Sequence, residues 1–254
     1  MSPQVFLLNS VPMRTLKFFT IFLLAVFIMP ALTHLAVWSV QDRPNSWRDA
    51  NWSSAGILPK PPRETAQIML MAARTGGMKG AFATHSWLVL KRPGETTYNR
   101  YDVVGWGTPV RHNAYAADAR WYSNVPQIYQ MIEGAKAESL ITKVEAAIKN
   151  YRYNQRGDYV LWPGPNSNTF VATILNEVPE LNWQMPATAV GRDFPADRRW
   201  FSKFKYGGWR LSLAGYAGIT YRPDYGVDLQ FLGLVAGFDW FNYQLKVPGF
   251  GVVG

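Results

Sequence analysis

One uncharged segment, Phe18 to Val40, limits what this chain can fold into more than any other feature. A run of about twenty apolar residues is long enough to cross a bilayer, and in lipid a helix satisfies its own backbone hydrogen bonds. Arg14 and Lys17 precede the run, which predicts a cytoplasmic N-terminus and a chain that continues outside. We interpret the segment as an uncleaved signal anchor, because it is long for a signal peptide. A cleaved signal peptide is the alternative.

Composition narrows the possible chemistry. The 254 residues are 48% hydrophobic and 17% charged, which suits one good-sized domain with a core. Cysteine is absent, so disulfides, thiolate metal sites and a cysteine nucleophile are excluded. The formal net charge of +9 includes one basic cluster at Arg192, Arg198, Arg199, Lys203 and Lys205. No basic helix or nucleic-acid motif is present, and an anionic membrane surface or cell-wall polymer explains the charge as well as nucleic acid does. Simple colloidal repulsion is the interpretation we favour.

The distribution of residue types along the chain predicts four segments. Residues 1–41 form a cytoplasmic tip and the anchor, and residues 42–64 form a Pro-rich linker. Residues 65–206 form an α+β domain, with strands predicted near 66–73, 81–91 and 98–106 and helical spacing from Ile128 to Ile148. Residues 207–254 are a Gly-rich β meander, packed on the domain or on the membrane.

A rigid loop at Leu161 to Phe170 leads into a predicted helix. Pro163 and Pro165 fix φ, and Asn166 is a good N-cap for a helix that continues to Val178. Ser167 then lies in the first turn, where free N–H groups favour negative charge. The simpler alternative is that Ser167 only follows a capping residue.

This loop has the form of a nucleophile motif. The string Asn166-Ser167-Asn168-Thr169-Phe170 resembles the Asn-Cys-Asn-x-Phe motif of circularly permuted papain-like (NlpC-type) folds, with Ser in place of Cys. His85 starts a predicted strand and precedes Ser167, as the base does in that chain order. The resemblance implies a permuted papain-like fold with Ser167 as nucleophile, His85 as base and the two Asn side chains near substrate. Serine is much harder to deprotonate than cysteine, so the resemblance supports the fold more than the activity.

Nearly all of the chain after the anchor resembles a family of bacterial membrane-anchored proteins classed only as a domain of unknown function. The motifs that carry this resemblance include His85-Ser86-Trp87, Asp118-Ala119-Arg120-Trp121 and Trp162 through Phe170. Their polar and aromatic members give the candidate binding residues Asn166, Asn168, Trp87, Asp118, Arg120, Trp121 and Trp162.

Three functions follow as hypotheses. The first is a non-catalytic or weakly catalytic binding protein that holds an envelope ligand, such as a peptidoglycan peptide or a lipid, in a papain-like cleft. The second is a Ser-dependent hydrolase or acyltransferase, and the third is a structural membrane-associated protein. Each is expected at the inner membrane, with lipid contacts through residues 18–40 and the soluble part facing the periplasm or exterior. We expect no cofactor and no metal site, because no ligand spacing for a metal is present.

Overall fold

A computed structural model describes residues 12–254, so the predicted cytoplasmic tip lies largely outside the described residues. Helix α1, Met13–Ser39, is long and apolar enough to cross a membrane by length and composition. Its segment Leu24–Ile28 is π-helical and directly precedes the turn containing Pro30. Proline lacks an N–H and its ring clashes with the carbonyl four residues earlier, so a local widening of the helix is expected there.

The first sheet has five antiparallel strands in the order β4-β3-β2-β1-β5. Its strands are β1 Gln67–Arg74, β2 Thr84–Lys91, β3 Asn99–Val103, β4 Val110–His112 and β5 Gln127–Glu133. The prediction of helix near Ile128 was wrong, because that segment is the edge strand β5, in which Met131 pairs with Met69. Backbone pairing to β1 overrides the helical spacing, and Gly134, at φ +71°, ends the strand.

Two helices cover one face of this sheet. Helix α2, Ala135–Lys149, and helix α3, Ser167–Glu177, bury apolar side chains against alternate residues of β1 and β2. The resulting core includes Ile68, Leu70, Leu88, Leu90, Ile141, Val144, Phe170 and Ile174. The fold is therefore α+β with one N-terminal apolar helix, as the sequence predicts.

The opposite face of the sheet carries a second, aromatic core. Met71, Trp87 and Val89 pack there with Trp121, and Trp52 packs against this cluster from outside. Trp52 belongs to the segment predicted as a linker, residues 42–64. Part of that segment therefore lies on the sheet, and Ser54 forms an isolated β-bridge with Ala119.

The second sheet follows in chain order. Seven strands each pair antiparallel with the next one along the chain. They are β6 Phe201–Lys203, β7 Trp209–Leu213, β8 Ala217–Arg222, β9 Gly226–Phe231, β10 Leu234–Asp239, β11 Gln244–Val247 and β12 Gly251–Val253. This C-terminal sheet begins at Phe201, ahead of the predicted boundary at residue 207.

The second half of helix α1 packs against both the region of the first sheet and the C-terminal sheet. The rings of Phe27 and Phe231 lie 5.7 Å apart, and those of His34 and Phe250 lie 4.7 Å apart. Trp38 Nε1 donates to the carbonyl oxygen of Gly77 at 3.0 Å. The helix is thus attached to the 3₁₀ turn Gly77–Ala81, to the end of β9 and to the turn between β11 and β12.

Candidate functional site

The predicted cap at Asn166 and the helix that follows it are confirmed. Asn166 Oδ1 accepts hydrogen bonds from the amides of Asn168 at 2.9 Å and Thr169 at 3.1 Å. Asn166 Nδ2 donates to the carbonyl oxygens of Leu161 and Val190 at 2.9 and 3.1 Å. A Cβ on Gly191 would lie 2.2 Å from that Nδ2 atom, so glycine permits this close approach. The side chain fixes the loop as well as the helix.

Asn168 also serves the fold. Its Nδ2 donates to the carbonyl oxygens of Thr84 and Val190, both at 2.8 Å, which ties the start of α3 to the start of β2. Ser167 lies in the first turn of α3 and is only 4% exposed. The donors of both flanking Asn side chains are therefore committed to backbone carbonyls rather than directed at an open cleft.

His85 and Ser167 are not brought face to face. Successive side chains of a strand point to opposite faces, and Leu88 and Leu90 of β2 pack with helix α3. His85, like Trp87, faces the aromatic side, where its ring stacks on Trp121 at 3.6 Å between ring centroids. The imidazole is thus directed away from the helix that carries Ser167.

On the aromatic side, His85 joins a buried charge network. Its Nε2 lies 3.4 Å from Asp102 Oδ2, which also accepts from Arg100 Nη2 at 2.7 Å. Arg100 in turn lies 4.0 Å above the Trp87 ring. Burial lowers the pKa of His85, although Asp102 acts against it. Burial tends to raise the pKa of Asp102, but His85 and Arg100 outweigh it and the pKa is lowered. A neutral His85 thus donates to an ionised Asp102.

The other candidate binding residues hold the segment that covers the aromatic core. Asp118 accepts from Ser54 Oγ at 2.6 Å and from the amide of Ile57 at 2.9 Å. Burial opposes ionisation of Asp118, but these hydrogen bonds outweigh it and lower the pKa. Arg120 Nη1 donates to the carbonyl oxygen of Ser54 at 2.6 Å. Trp87 Nε1 donates to the carbonyl oxygen of Ala117 at 2.8 Å. These contacts are internal to the fold.

Trp162 lies apart from this group. Its ring packs edge-on against Tyr216 of the C-terminal sheet at 4.9 Å between centroids, and it is partly exposed. The residues predicted to form one site therefore occupy three places: the start of α3, the aromatic face and the rim of the C-terminal sheet.

A cavity of about 750 Å³ opens between α3, the segment 182–206 and the C-terminal sheet. Four anionic side chains line it, against seven cationic ones: Arg192, Arg199, Lys203, Lys205, Arg210, Arg222 and Lys246. The basic cluster seen in the sequence contributes four of these seven, so the sequence held a partial signal. Arg210 and Lys246 were missed because only strand register brings them beside that cluster.

Strand pairing builds the floor of this cavity. Ser202 pairs with Arg210, Arg210 with Thr220, and Thr220 with Asp228, so the four lie in one cross-strand row. Asp228 accepts from Arg192 Nη2 at 2.6 Å and from Lys246 Nζ at 2.7 Å. Two of the buried cations therefore share a single carboxylate.

Arg210 differs from those cations. It is 7% exposed, and among residues 12–254 its guanidinium makes no ion pair and no side-chain hydrogen bond. Asp193 lies within the electrostatic reach of Arg210 but pairs with Arg192 at 3.5 Å. Ser202 Oγ and Gln184 Nε2 line the same cavity and are buried without a hydrogen-bond partner in the described part of the chain. The cavity thus presents unused donors.

Metal binding has no comparable support. Across residues 12–254, no group of three or more His, Asp and Glu side chains is arranged to hold a metal ion.

Comparison with known proteins identifies a family. A family model described as a protein of unknown function (DUF3750) matches residues 65–194, which is half of the chain. The match spans the first sheet, α2, α3 and Arg192. No curated protein matches the chain, and no solved structure does. The likeness to papain-like folds and to their nucleophile motif therefore stays a prediction. By the family match, the chain belongs to the DUF3750 family of proteins of unknown function.

Proposed function

We propose that this protein is a membrane-anchored, non-catalytic binding protein that takes an organic phosphate into the cavity beside the C-terminal sheet. The observation that carries the proposal is Arg210 in the cavity wall, whose guanidinium makes no ion pair and no side-chain hydrogen bond among residues 12–254 and faces the cavity. An anionic ligand would supply the missing partner.

The lining favours a phosphate over a smaller or singly charged anion. Cationic side chains outnumber anionic ones by seven to four, which suits a ligand with two negative charges. A guanidinium offers two parallel donors that match phosphate oxygens. Ser202 Oγ and Gln184 Nε2 can add neutral hydrogen bonds. Phe201 and Phe204 supply apolar surface for an organic body, and the volume falls within the usual range for ligand pockets.

The proposed anchor places the cavity beside a membrane. Helix α1 is proposed to cross the inner membrane once, with Arg14 and Lys17 on the cytoplasmic side and the cavity facing the periplasm or exterior. A phosphate-bearing envelope component, such as the head group of an anionic lipid, fits both the cavity and this placement.

The hydrolase hypothesis gains no specific support from the geometry. A serine nucleophile needs a base within hydrogen-bond reach, and His85 is directed to Trp121 and Asp102 on the other face of the sheet. We therefore propose no reaction at Ser167.

Calorimetric titration of the full chain in detergent tests the binding proposal. The probes are glycerol 3-phosphate and a soluble dioctanoyl phosphatidate, with glycerol as the uncharged control. Binding of at least one phosphate and not of glycerol is expected. Arg210→Gln should weaken that binding by about tenfold or more, since a charged hydrogen bond contributes about 1.5–3 kcal/mol. The control Arg156→Gln removes one exposed positive charge outside the cavity and should leave affinity unchanged.

A stability measurement separates lost binding from lost folding. Arg210→Met removes a guanidinium that makes no ion pair and no side-chain hydrogen bond in the described residues, so the ligand-free protein should unfold at the same or a higher temperature. Failure of both phosphates to bind the unmodified chain would overturn the proposal. So would equal losses from Arg210→Gln and Arg156→Gln.

A further inference from the structure

The turns of the C-terminal sheet lie at the two opposite ends of its strands, which we call its two edges, and these edges differ in charge. Turns alternate between the edges, and those at 214–216, 232–233 and 248–250 share one edge. No charged residue occurs in these turns, nor anywhere in 211–221 or 229–238. The opposite edge carries Lys203, Lys205, Arg222, Asp224 and Asp239. On a chain of net charge +9, this separation marks the uncharged edge as a surface adapted to an apolar environment.

Large apolar side chains are exposed at the uncharged edge and meet the Pro-rich loop there. We call Leu161, Trp162, Leu213, Tyr216 and Leu232 the turn patch, and all five are exposed. The patch is contiguous, because the amide of Leu232 donates to the carbonyl oxygen of Tyr216 at 2.6 Å and Trp162 packs on Tyr216. Adjacent exposed apolar side chains of this kind mark interaction surfaces.

The anchor sets the depth of this patch. Arg14 and Lys17 are proposed to lie at the cytoplasmic boundary, and residues 18–26 of α1, which separate them from the contact of Phe27 with Phe231, extend about 14 Å at about 1.5 Å per residue. The hydrocarbon core of a bilayer is about 30 Å thick. A helix that crosses it must therefore keep Phe27 inside the hydrocarbon. Leu232 directly follows Phe231, so the edge of the sheet is drawn into the same layer.

We infer that the turn patch inserts into the non-cytoplasmic leaflet of the bilayer that α1 crosses, with lipid acyl chains as its partner. The inference rests on the proposed anchoring. Trp162 and Tyr216 suit the boundary of the leaflet, where amphipathic rings concentrate. No charged residue occurs in 211–221 or 229–238, the segments around the two turns that carry the turn patch, which fits the high cost of charged side chains in hydrocarbon. The soluble part is thus seated in the membrane rather than tethered above it.

Spin labelling tests the depth directly, because the chain has no cysteine and one introduced thiol is unique. The full chain carrying Leu232→Cys is labelled with a nitroxide in phosphatidylethanolamine–phosphatidylglycerol vesicles. Accessibility to oxygen, which partitions into lipid, is compared with accessibility to a water-soluble nickel chelate. The matched control is Phe241→Cys, at an exposed turn of the opposite edge. Leu24→Cys, exposed on α1, reports on the anchor itself.

High oxygen and low nickel accessibility at positions 232 and 24, with the reverse at 241, is the expected result. If position 24 lies in lipid while 232 resembles 241, the patch is not inserted although the anchoring stands. If position 24 is itself open to nickel, the anchoring fails and the inference fails with it. A label at 232 shielded from both agents would indicate a protein partner, such as a second copy, and would overturn the inference.

Discussion

At the scale of single residues, His85 shows how a site prediction can place the right side chain on the wrong partner. Strand β2 is buried along its whole length, with apolar residues on both faces. A strand of that kind has no alternation of apolar and polar residues from which the facing of His85 could be predicted. The identity of its partners, Asp102 and Arg100, depends on how β3 pairs with β2.

Replacing His85 by Gln should make the free energy of unfolding less dependent on pH below about pH 6.5. Burial lowers the pKa of His85 below its ordinary value of 6.5. The unfolded chain therefore takes up a proton as the pH falls below 6.5, while the folded chain resists it. The contribution of neutral His85 to the free energy of unfolding is fully present above pH 6.5. It decreases below that pH by up to about 1.4 kcal/mol per pH unit. Gln keeps a donor for Asp102 but cannot titrate.

Urea unfolding of the full chain in detergent between pH 7.5 and 5 measures this slope. The control His112→Gln alters an exposed ring that stacks on Tyr101 and lies outside the network of His85 and Asp102, and the slopes of the two variants are compared. The Asp102 contribution is lost only at lower pH, because that pKa is lowered from 3.8. An unchanged slope in His85→Gln would contradict the prediction.

At the scale of elements, α3 was predictable and β5 was not. The start of α3 depends on local chemistry, a capping Asn166 followed by apolar residues at helical spacing, and local chemistry is legible in a sequence. The nature of β5 depends on a distant partner, since its residues from Gln127 to Glu133 become a strand by pairing with β1. Short apolar runs are ambiguous until such a partner is known.

Phe170→Ala should lower the free energy of unfolding by about 3–5 kcal/mol. Phe170 is fully buried in the core beneath α3, and its ring meets Tyr151 edge-on at 5.0 Å. Truncation leaves a cavity that the surrounding strands cannot fill. Phe241→Ala, at an exposed turn, should change stability by less than about 0.5 kcal/mol. Urea unfolding compares the two, and similar effects would argue against the burial of Phe170.

At the scale of the whole molecule, the cavity could not be predicted because its wall crosses the chain's predicted boundaries. Arg192 comes from the family domain, whereas Arg210 and Lys246 come from separate strands of the C-terminal sheet. The sequence displays the basic cluster at 192–205, but the row that aligns it with Arg210 exists only through strand register.

The orientation of the molecule can be checked with fusions at the C-terminus. The basic residues Arg14 and Lys17, in the first turns of α1, predict that everything after Ser39 lies outside the cytoplasm. An alkaline phosphatase fused after Gly254 should be active, and a green fluorescent protein fused there should be dark. Reversing the charge bias with Arg14→Glu and Lys17→Glu should reduce phosphatase activity. The opposite pattern in the unmodified fusions would reverse the topology.

The docking of His34 against Phe250 has a consequence for biogenesis. The two rings meet across more than 200 positions of chain, and Arg74 Nη2 donates to the carbonyl oxygen of Gly249 at 2.8 Å beside them. The N-terminal part of a chain is synthesised first, so the His34 contact of α1 cannot form until residue 250 has been made, whereas Trp38 and Phe27 can dock earlier on Gly77 and Phe231. Formation of this contact is therefore a late step in folding, and a chain that ended before Phe250 would leave His34 and the adjoining surface of α1 uncovered.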